Sequence, residues 1–293
     1  MNYQHQFHAG NFADIFKHCI LALCLEELQK NHNELLIIDL HAGLGKYNIL
    51  DNKTLKTQEY QQGFQKILNY PNFLEILPNK FLQILARINV CETADLPSKM
   101  KFYSGSPIII KNFLRSQDLA IFCENQENIF YQLKRNFSGN KKILCLKQDG
   151  FAIFKNLQFT KQSPSLILID PSFEKNHQKI SNDYDLILST LQDIKKHCPL
   201  TTNLIWFPIV KGQEKILQNF YQKINHLGFK KIDKIIIDIG KNNLNNHKMT
   251  SCGIIAINMP TAVYQKINFY FPKILAILKN HSSGSFKITK MLE

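Results

Sequence analysis

The sequence predicts an α/β fold built on a mostly parallel, doubly wound sheet, and three observations predict it. Short continuous apolar runs recur at 35–39, 119–124, 142–146, 165–170, 203–210, 232–239 and 252–259, and such runs read as strands buried on both faces. Helical periodicity fills most of the intervals, as at 128–137, 184–196 and 214–227, so right-handed crossovers join parallel strands. The interval 240–251 is instead a polar stretch too short for a helical crossover. The last two strands are therefore expected to pair antiparallel.

Each element follows from its residues in turn. Over 11–28 the apolar side chains Ile15, Phe16, Cys19, Ile20, Leu23 and Leu28 fall at three- and four-residue spacing, which predicts an amphipathic helix ahead of the first strand. The first run, Leu35-Leu36-Ile37-Ile38-Asp39, ends in an acid and leaves into His41-Ala42-Gly43-Leu44-Gly45, a strand entering a glycine loop. Residues 50–100 break the rhythm, because 57–68, 72–77 and 80–88 read as short helices with no strand among them. With no repeat, low-complexity tract or long linker, residues 1–293 are expected to form a single domain with a helical inserted subdomain at 50–100. A seven-stranded, mostly parallel sheet with an antiparallel last strand is the layout of class I, Rossmann-like methyltransferases; a plain doubly wound fold is the alternative.

Composition narrows the partners. At 293 residues and 44% hydrophobic the chain can bury a sizeable core. Its 36 basic and 23 acidic side chains leave a formal net charge of +13, a positive field that attracts polyanions such as RNA, DNA or acidic membrane. A lysine-rich composition bias produces the same number. The seven cysteines are odd in number and include no C-x-x-C pair, which fits a reduced cytoplasm. His18 with Cys19 and Cys24 matches no common zinc spacing, so no metal is expected. The first ten residues are polar and no apolar run reaches the length of a membrane span, so a soluble cytoplasmic protein without a membrane partner is expected.

In an open α/β sheet, ligands bind beyond the carboxyl ends of the strands, and four such ends are polar here. The Gly43 and Gly45 loop lets the backbone approach a ligand closely; Asn48 stands where a dinucleotide fingerprint needs its third glycine. Glu124, closing the run 119–123, suits the two hydroxyls of a ribose. Asp149 and Gly150 supply an acceptor and an amide donor for an adenine ring. Each of these also reads as an ordinary strand-end, turn or capping residue. Asp170-Pro171-Ser172-Phe173 follows a buried run and resembles the D/N-P-P-Y/F motif of amino-methyltransferases. Hydrogen bonds from an adenine N–H₂ to the Asp170 carboxylate and the Pro171 carbonyl localise a lone pair otherwise conjugated into the ring. Phe173 offers a face for a base drawn out of its stack.

Taken together, Tyr3-Gln4-His5-Gln6-Phe7-His8-Ala9-Gly10-Asn11, Ala13-Asp14, Lys17-His18, residues 39–45, Ser104-Gly105-Ser106-Pro107, Glu124, Asp149-Gly150 and Asp170-Pro171 resemble the ribosomal RNA large subunit methyltransferase J family over nearly the whole chain. The resemblance implies methylation of N6 of an adenine in 23S ribosomal RNA with S-adenosyl-L-methionine as cofactor. It implies cofactor contacts at His18, His41, Ser106, Glu124, Asp149 and Gly150, catalysis by Asp170 and an RNA contact at Tyr3. The expected partner is 23S RNA in a protein-free or early-assembly form, met by a monomer. Phe12 and Phe173 stand where relatives often carry His and Tyr, and Ser172 replaces the usual second proline. Family members also carry an older label for the use of external DNA as a nutrient. Two other classes compete: a metal-dependent nuclease using His5, His8, His41 and Asp170, which lacks any D-x-D or H-x-E cluster, and a nucleic-acid-binding protein on the same scaffold.

Overall fold

The computed structural model describes residues 5–156, 164–173, 183–240, 249–280 and 283–291. Its strands are β1 (Leu36–Asp39), β2 (Lys46–Asn48), β3 (Phe102–Ser104), β4 (Leu119–Cys123), β5 (Ile143–Leu146), β6 (Leu166–Ile169), β7 (Thr202–Ile209), β8 (Ile232–Asp238), β9 (Ser251–Ile257) and β10 (Ser285–Lys290). All the predicted apolar runs enter one sheet of order β10-β8-β9-β7-β6-β1-β4-β5. Strands β5, β4, β1, β6 and β7 run parallel, and β9 lies antiparallel between β7 and β8. This is the class I methyltransferase arrangement, with one correction to the strand count. Among the described residues the sheet has eight strands rather than seven, because β10 adds to the outer edge antiparallel to β8.

Helices Phe12–Asn31, Ser106–Phe113 and Thr261–Leu278 cover one face of the sheet, and Asp183–His197 and Glu214–Asn225 cover the other. Residues 50–100 carry helices and no strand, the longest being Asn79–Asn89. The predicted helix over 57–68 is broken in two at Gly63, where a Cβ would come within 2.3 Å of the Gly10 carbonyl oxygen. Strands β2 and β3 pair antiparallel with Lys46 opposite Ser104 and close the base of this segment. The Phe64 amide donates to Gly10 O at 2.9 Å and the Asn11 side-chain amide donates to Glu59 at 3.0 Å. The helical segment thereby clamps the opening of the chain.

A second correction concerns the first helix. Asn11 caps it by accepting from the Asp14 amide at 2.9 Å, but the helix is not amphipathic in its burial. Asp14, Lys17, His18 and Glu27 are buried along with Ile15, Phe16, Cys19 and Ile20. The sheet lies against one side, while helix Thr261–Leu278 and the inserted segment enclose the other. Phe16 meets Phe271 edge-on at 5.3 Å, both fully buried. Truncating either to alanine is expected to cost about 3–5 kcal/mol. The polar residues at the start of this helix are thus driven into the interior, where they must find partners.

Candidate active site

Strand order reverses at β1, whose neighbours β6 and β4 leave it on opposite sides, and an open sheet binds its ligands in the crevice at that point. A cleft of about 1200 Å³ opens there. His18, His41, Gly43, Ser106, Glu124, Asp149, Gly150, Asp170, Pro171 and Phe173 all line it. Tyr3 lies outside the described residues.

One end of the cleft is built from backbone and carboxylates. Gly43 and Gly45 adopt φ of +63° and +77°, and a Cβ on Gly43 would meet the Tyr47 hydroxyl at 2.5 Å. Glycine is required at this turn. Glu124 holds the loop, since Oε2 accepts from the Gly43 amide at 3.1 Å and Oε1 from the Gln126 amide at 2.7 Å. Burial raises its carboxyl above the usual range. With the Gly43, Gln126 and Asn125 amides on it, the carboxylate keeps acceptor capacity for a ribose hydroxyl. Gly150 packs so closely that a Cβ would fall 2.0 Å from Leu40 O, while Asp149 accepts from the Phe151 amide at 3.0 Å. Ser106 begins helix Ser106–Phe113, whose first amides lack intrahelical acceptors and favour an anion.

The other end is a chain of charges. Lys17 Nζ donates to Asp170 Oδ2 and pairs with Asp14 Oδ1 at 3.1 Å. Asp14 Oδ2 also receives His5 Nε2 at 3.0 Å and the Gly10 amide at 2.9 Å. Burial alone would raise the Asp14 carboxyl, but His5 and Lys17 outweigh it and hold it well below the usual carboxylate range. The Asp170 amide donates to His41 Nδ1 at 3.3 Å, which leaves the proton of the neutral ring on Nε2. Burial pushes His41 down to about 3, and His18 likewise, so both are neutral imidazoles. His18 Nδ1 pairs with the Tyr103 hydroxyl at 3.0 Å. Phe173 sits at φ +51°, its ring 5.0 Å from Tyr184 and 5.7 Å from Trp206. A left-handed aromatic residue is uncommon and marks a locally strained turn.

Of the buried side-chain atoms with no hydrogen-bond partner among the described residues, His18 Nε2, His41 Nε2 and Trp206 Nε1 belong to residues that line the cleft, with Asp39 Oδ2 at the strand end beside it. Asp39 ends β1, accepts from the His41 amide at 3.2 Å, and is pushed up to about 7 by burial, with Asp170 adding to the rise. Orphaned polar atoms around a glycine loop fit a polar ligand that completes them. The donor and acceptor set fits S-adenosylmethionine: Glu124 for the ribose, Asp149 and Gly150 for the adenine, and the Ser106 helix end for the carboxylate.

The sequence did not single out Lys17, Asp14 or Trp206 for roles. Asp14 and Lys17 stand in the opening motif at i, i+3 spacing, a signal that they share a helix face. Their tie to Asp170 spans 153 positions. Trp206, the one tryptophan, lines the cleft beside Phe173 from β7.

Residues 32–291 match the family described as ribosomal RNA large subunit methyltransferase D, RlmJ. The ribosomal RNA large subunit methyltransferase J of Haemophilus influenzae is 28% identical over 98% of both chains. That of Escherichia coli K12 is 29% identical over 93% of this chain and 92% of its own. Among solved structures, protein LPL1258 from Legionella pneumophila superposes with a TM-score of 0.80 at 27% identity, covering 97% of this chain and 98% of that one. The match extends through the opening helix, the inserted segment and the whole sheet, and the chain belongs to the ribosomal RNA large subunit methyltransferase family RlmJ, as an S-adenosylmethionine-dependent RNA methyltransferase.

Proposed function

We propose that the chain methylates the N6 amino group of an adenine in 23S ribosomal RNA. The observation that carries this reading is the placement of Asp170. Its carboxylate stands in the cleft after β6, 16% exposed, with Oδ2 engaged by Lys17 and its own amide fixed on His41. Oδ1 then accepts one N6–H of the target base, and the Pro171 carbonyl accepts the other. These two bonds withdraw the N6 lone pair from the ring and direct it out of the base plane. S-adenosylmethionine, when bound, supplies an electrophilic methyl group on sulfonium. The N6 proton lost on methylation passes toward Asp170 or to water. Lys17 fixes the carboxylate in one orientation and offsets its charge; Phe173 and Trp206 supply the aromatic wall for the base.

Cofactor contacts at His18, His41, Gly43, Ser106, Glu124, Asp149 and Gly150, and an RNA contact at Tyr3, belong to the same proposal. So does a monomer acting in the cytoplasm on protein-free or early-assembly RNA, as a single domain over 1–293 with a helical subdomain at 50–100. No helix among the described residues is long and apolar enough to cross a membrane. The test is methyl transfer to deproteinised 23S RNA, to mature subunits and to free adenosine, with the product located by mass spectrometry. N6-methyladenine at one position of the deproteinised RNA is expected. Equal methylation of free adenosine would remove the RNA from the proposal.

A further inference from the structure

Strand β10 extends the sheet beyond the class I plan, and its two faces differ. Phe286 stacks on Phe271 at 5.4 Å, so Phe286 and Ile288 turn toward helix Thr261–Leu278. Lys287 therefore projects from the opposite face, where it pairs with Ile236 while Lys234 pairs with Thr289. The two lysines are diagonal neighbours across the ladder. Lys234 Nζ lies 4.2 Å from the centre of the Tyr221 ring. Burial lowers the Lys234 ammonium, and the charge of Lys287 lowers it further. Among the described residues no ion pair joins either lysine to a carboxylate. Asp238, two pleats along the same face of β8, accepts from the Gly240 amide at 2.8 Å.

We propose that this face, Lys234 and Lys287 with Tyr221, is a docking track for the phosphate backbone of the RNA flanking the target adenine. The inference rests on the RNA methyltransferase reading above and adds where the polymer lies. Two like charges held together at a cost are stabilised by an anion between them, and the net charge of +13 favours a polyanion. Ammonium groups beside an aromatic face are the elements that single-stranded nucleic acid uses for backbone and base contacts. The direction of β8 links the track to the site. It runs parallel to β7, since both oppose β9, and it continues into Ile239 at the cleft wall. At about 3.3 Å per residue, Lys234 stands roughly 17 Å from that wall, the reach of a few nucleotides.

The test compares the double variant Lys234→Gln/Lys287→Gln with Lys134→Gln/Lys141→Gln, which removes equal charge at the opposite edge of the sheet. The probe is a deproteinised 23S RNA fragment that the wild type methylates. The first variant is expected to bind RNA on the order of tenfold more weakly at physiological salt, with the slope of log K against log salt reduced by about 2. Its cofactor affinity, and its rate on saturating RNA, should match wild type; Lys234→Arg/Lys287→Arg should restore binding. Equal losses in both glutamine pairs, or an unchanged slope in the first, overturns the track. If the first pair instead alters only the oligomeric state, the edge is a protein interface and the track is wrong. A wild type that neither binds nor methylates RNA overturns the underlying reading, an outcome distinct from wild-type binding that the variants retain.

Discussion

Replacing Lys17 with methionine tests the charge chain that holds the proposed catalytic carboxylate. The ammonium is 6% exposed and lies between Asp14, at 2%, and Asp170, at 16%. Methionine preserves most of the volume, so the change is one of charge rather than packing. Asp14 keeps His5 and the Gly10 amide, and the unpaired burden falls chiefly on Asp170. Breaking a buried ion pair by removing one partner costs about 3–5 kcal/mol. For 293 residues each kcal/mol lowers Tm by roughly 1.5–2 °C, so calorimetry should show a fall of roughly 5–10 °C at pH 8. The deficit should shrink as pH falls, because in the wild type His5 and Lys17 hold the Asp14 carboxyl well below the usual range, and the stability this contributes is lost on acidification. Adding Asp170→Asn to Lys17→Met should recover much of the stability and none of the activity, and the cycle isolates the pair. Lys17→Met protein with wild-type Tm and full single-turnover methylation would refute the reasoning.

Three further outcomes are expected. Asp39 has its folded pKa raised to about 7 by burial, above its unfolded value of about 3.9; the folded state therefore gains stability as pH falls through 7. Between pH 8 and 6 this amounts to about 1–1.5 kcal/mol, and denaturant titration should find that component missing in Asp39→Asn. Glu124→Ala should weaken S-adenosylmethionine by about 1.5–3 kcal/mol in calorimetry, since it also frees the Gly43 amide; unchanged affinity would reject the ribose assignment. Phe173→Ala should lose about 1–3 kcal/mol of base capture, seen in kcat/KM for RNA, whereas Phe173→Tyr and Ser172→Pro should remain close to wild type.

What was legible in the sequence is what contiguous residues encode. Strands β1, β4, β6, β7 and β9 are continuous apolar runs because they are largely buried on both faces, which leaves little polar alternation to confuse the reading; β5 and β8 read as strands from their apolar residues although they are only partly covered. The glycine loop, Glu124, Asp149 and the Asp170 turn were found because each closes such a run. The edge strand Ser285–Lys290 escaped because half of it faces solvent, and β2 and β3 because three residues carry no period. The first helix was misjudged for a different reason. Apolar spacing predicted one buried face, yet Asp14, Lys17 and His18 are buried as well, because His5, Tyr103 and Asp170 complete them from other parts of the chain. A pairing across 153 positions leaves no trace in local spacing.

The most direct test of the account is single-turnover methyl transfer to deproteinised 23S RNA by Asp170→Ala protein, with cofactor affinity measured in parallel. The account predicts near-complete loss of N6-methyladenine with S-adenosylmethionine still bound at close to wild-type affinity, because Glu124, the glycine loop and Gly150 do not depend on that side chain. Full single-turnover methylation by Asp170→Ala would contradict it, leaving the turn after β6 a structural feature and the acceptor of the adenine amine elsewhere in the cleft.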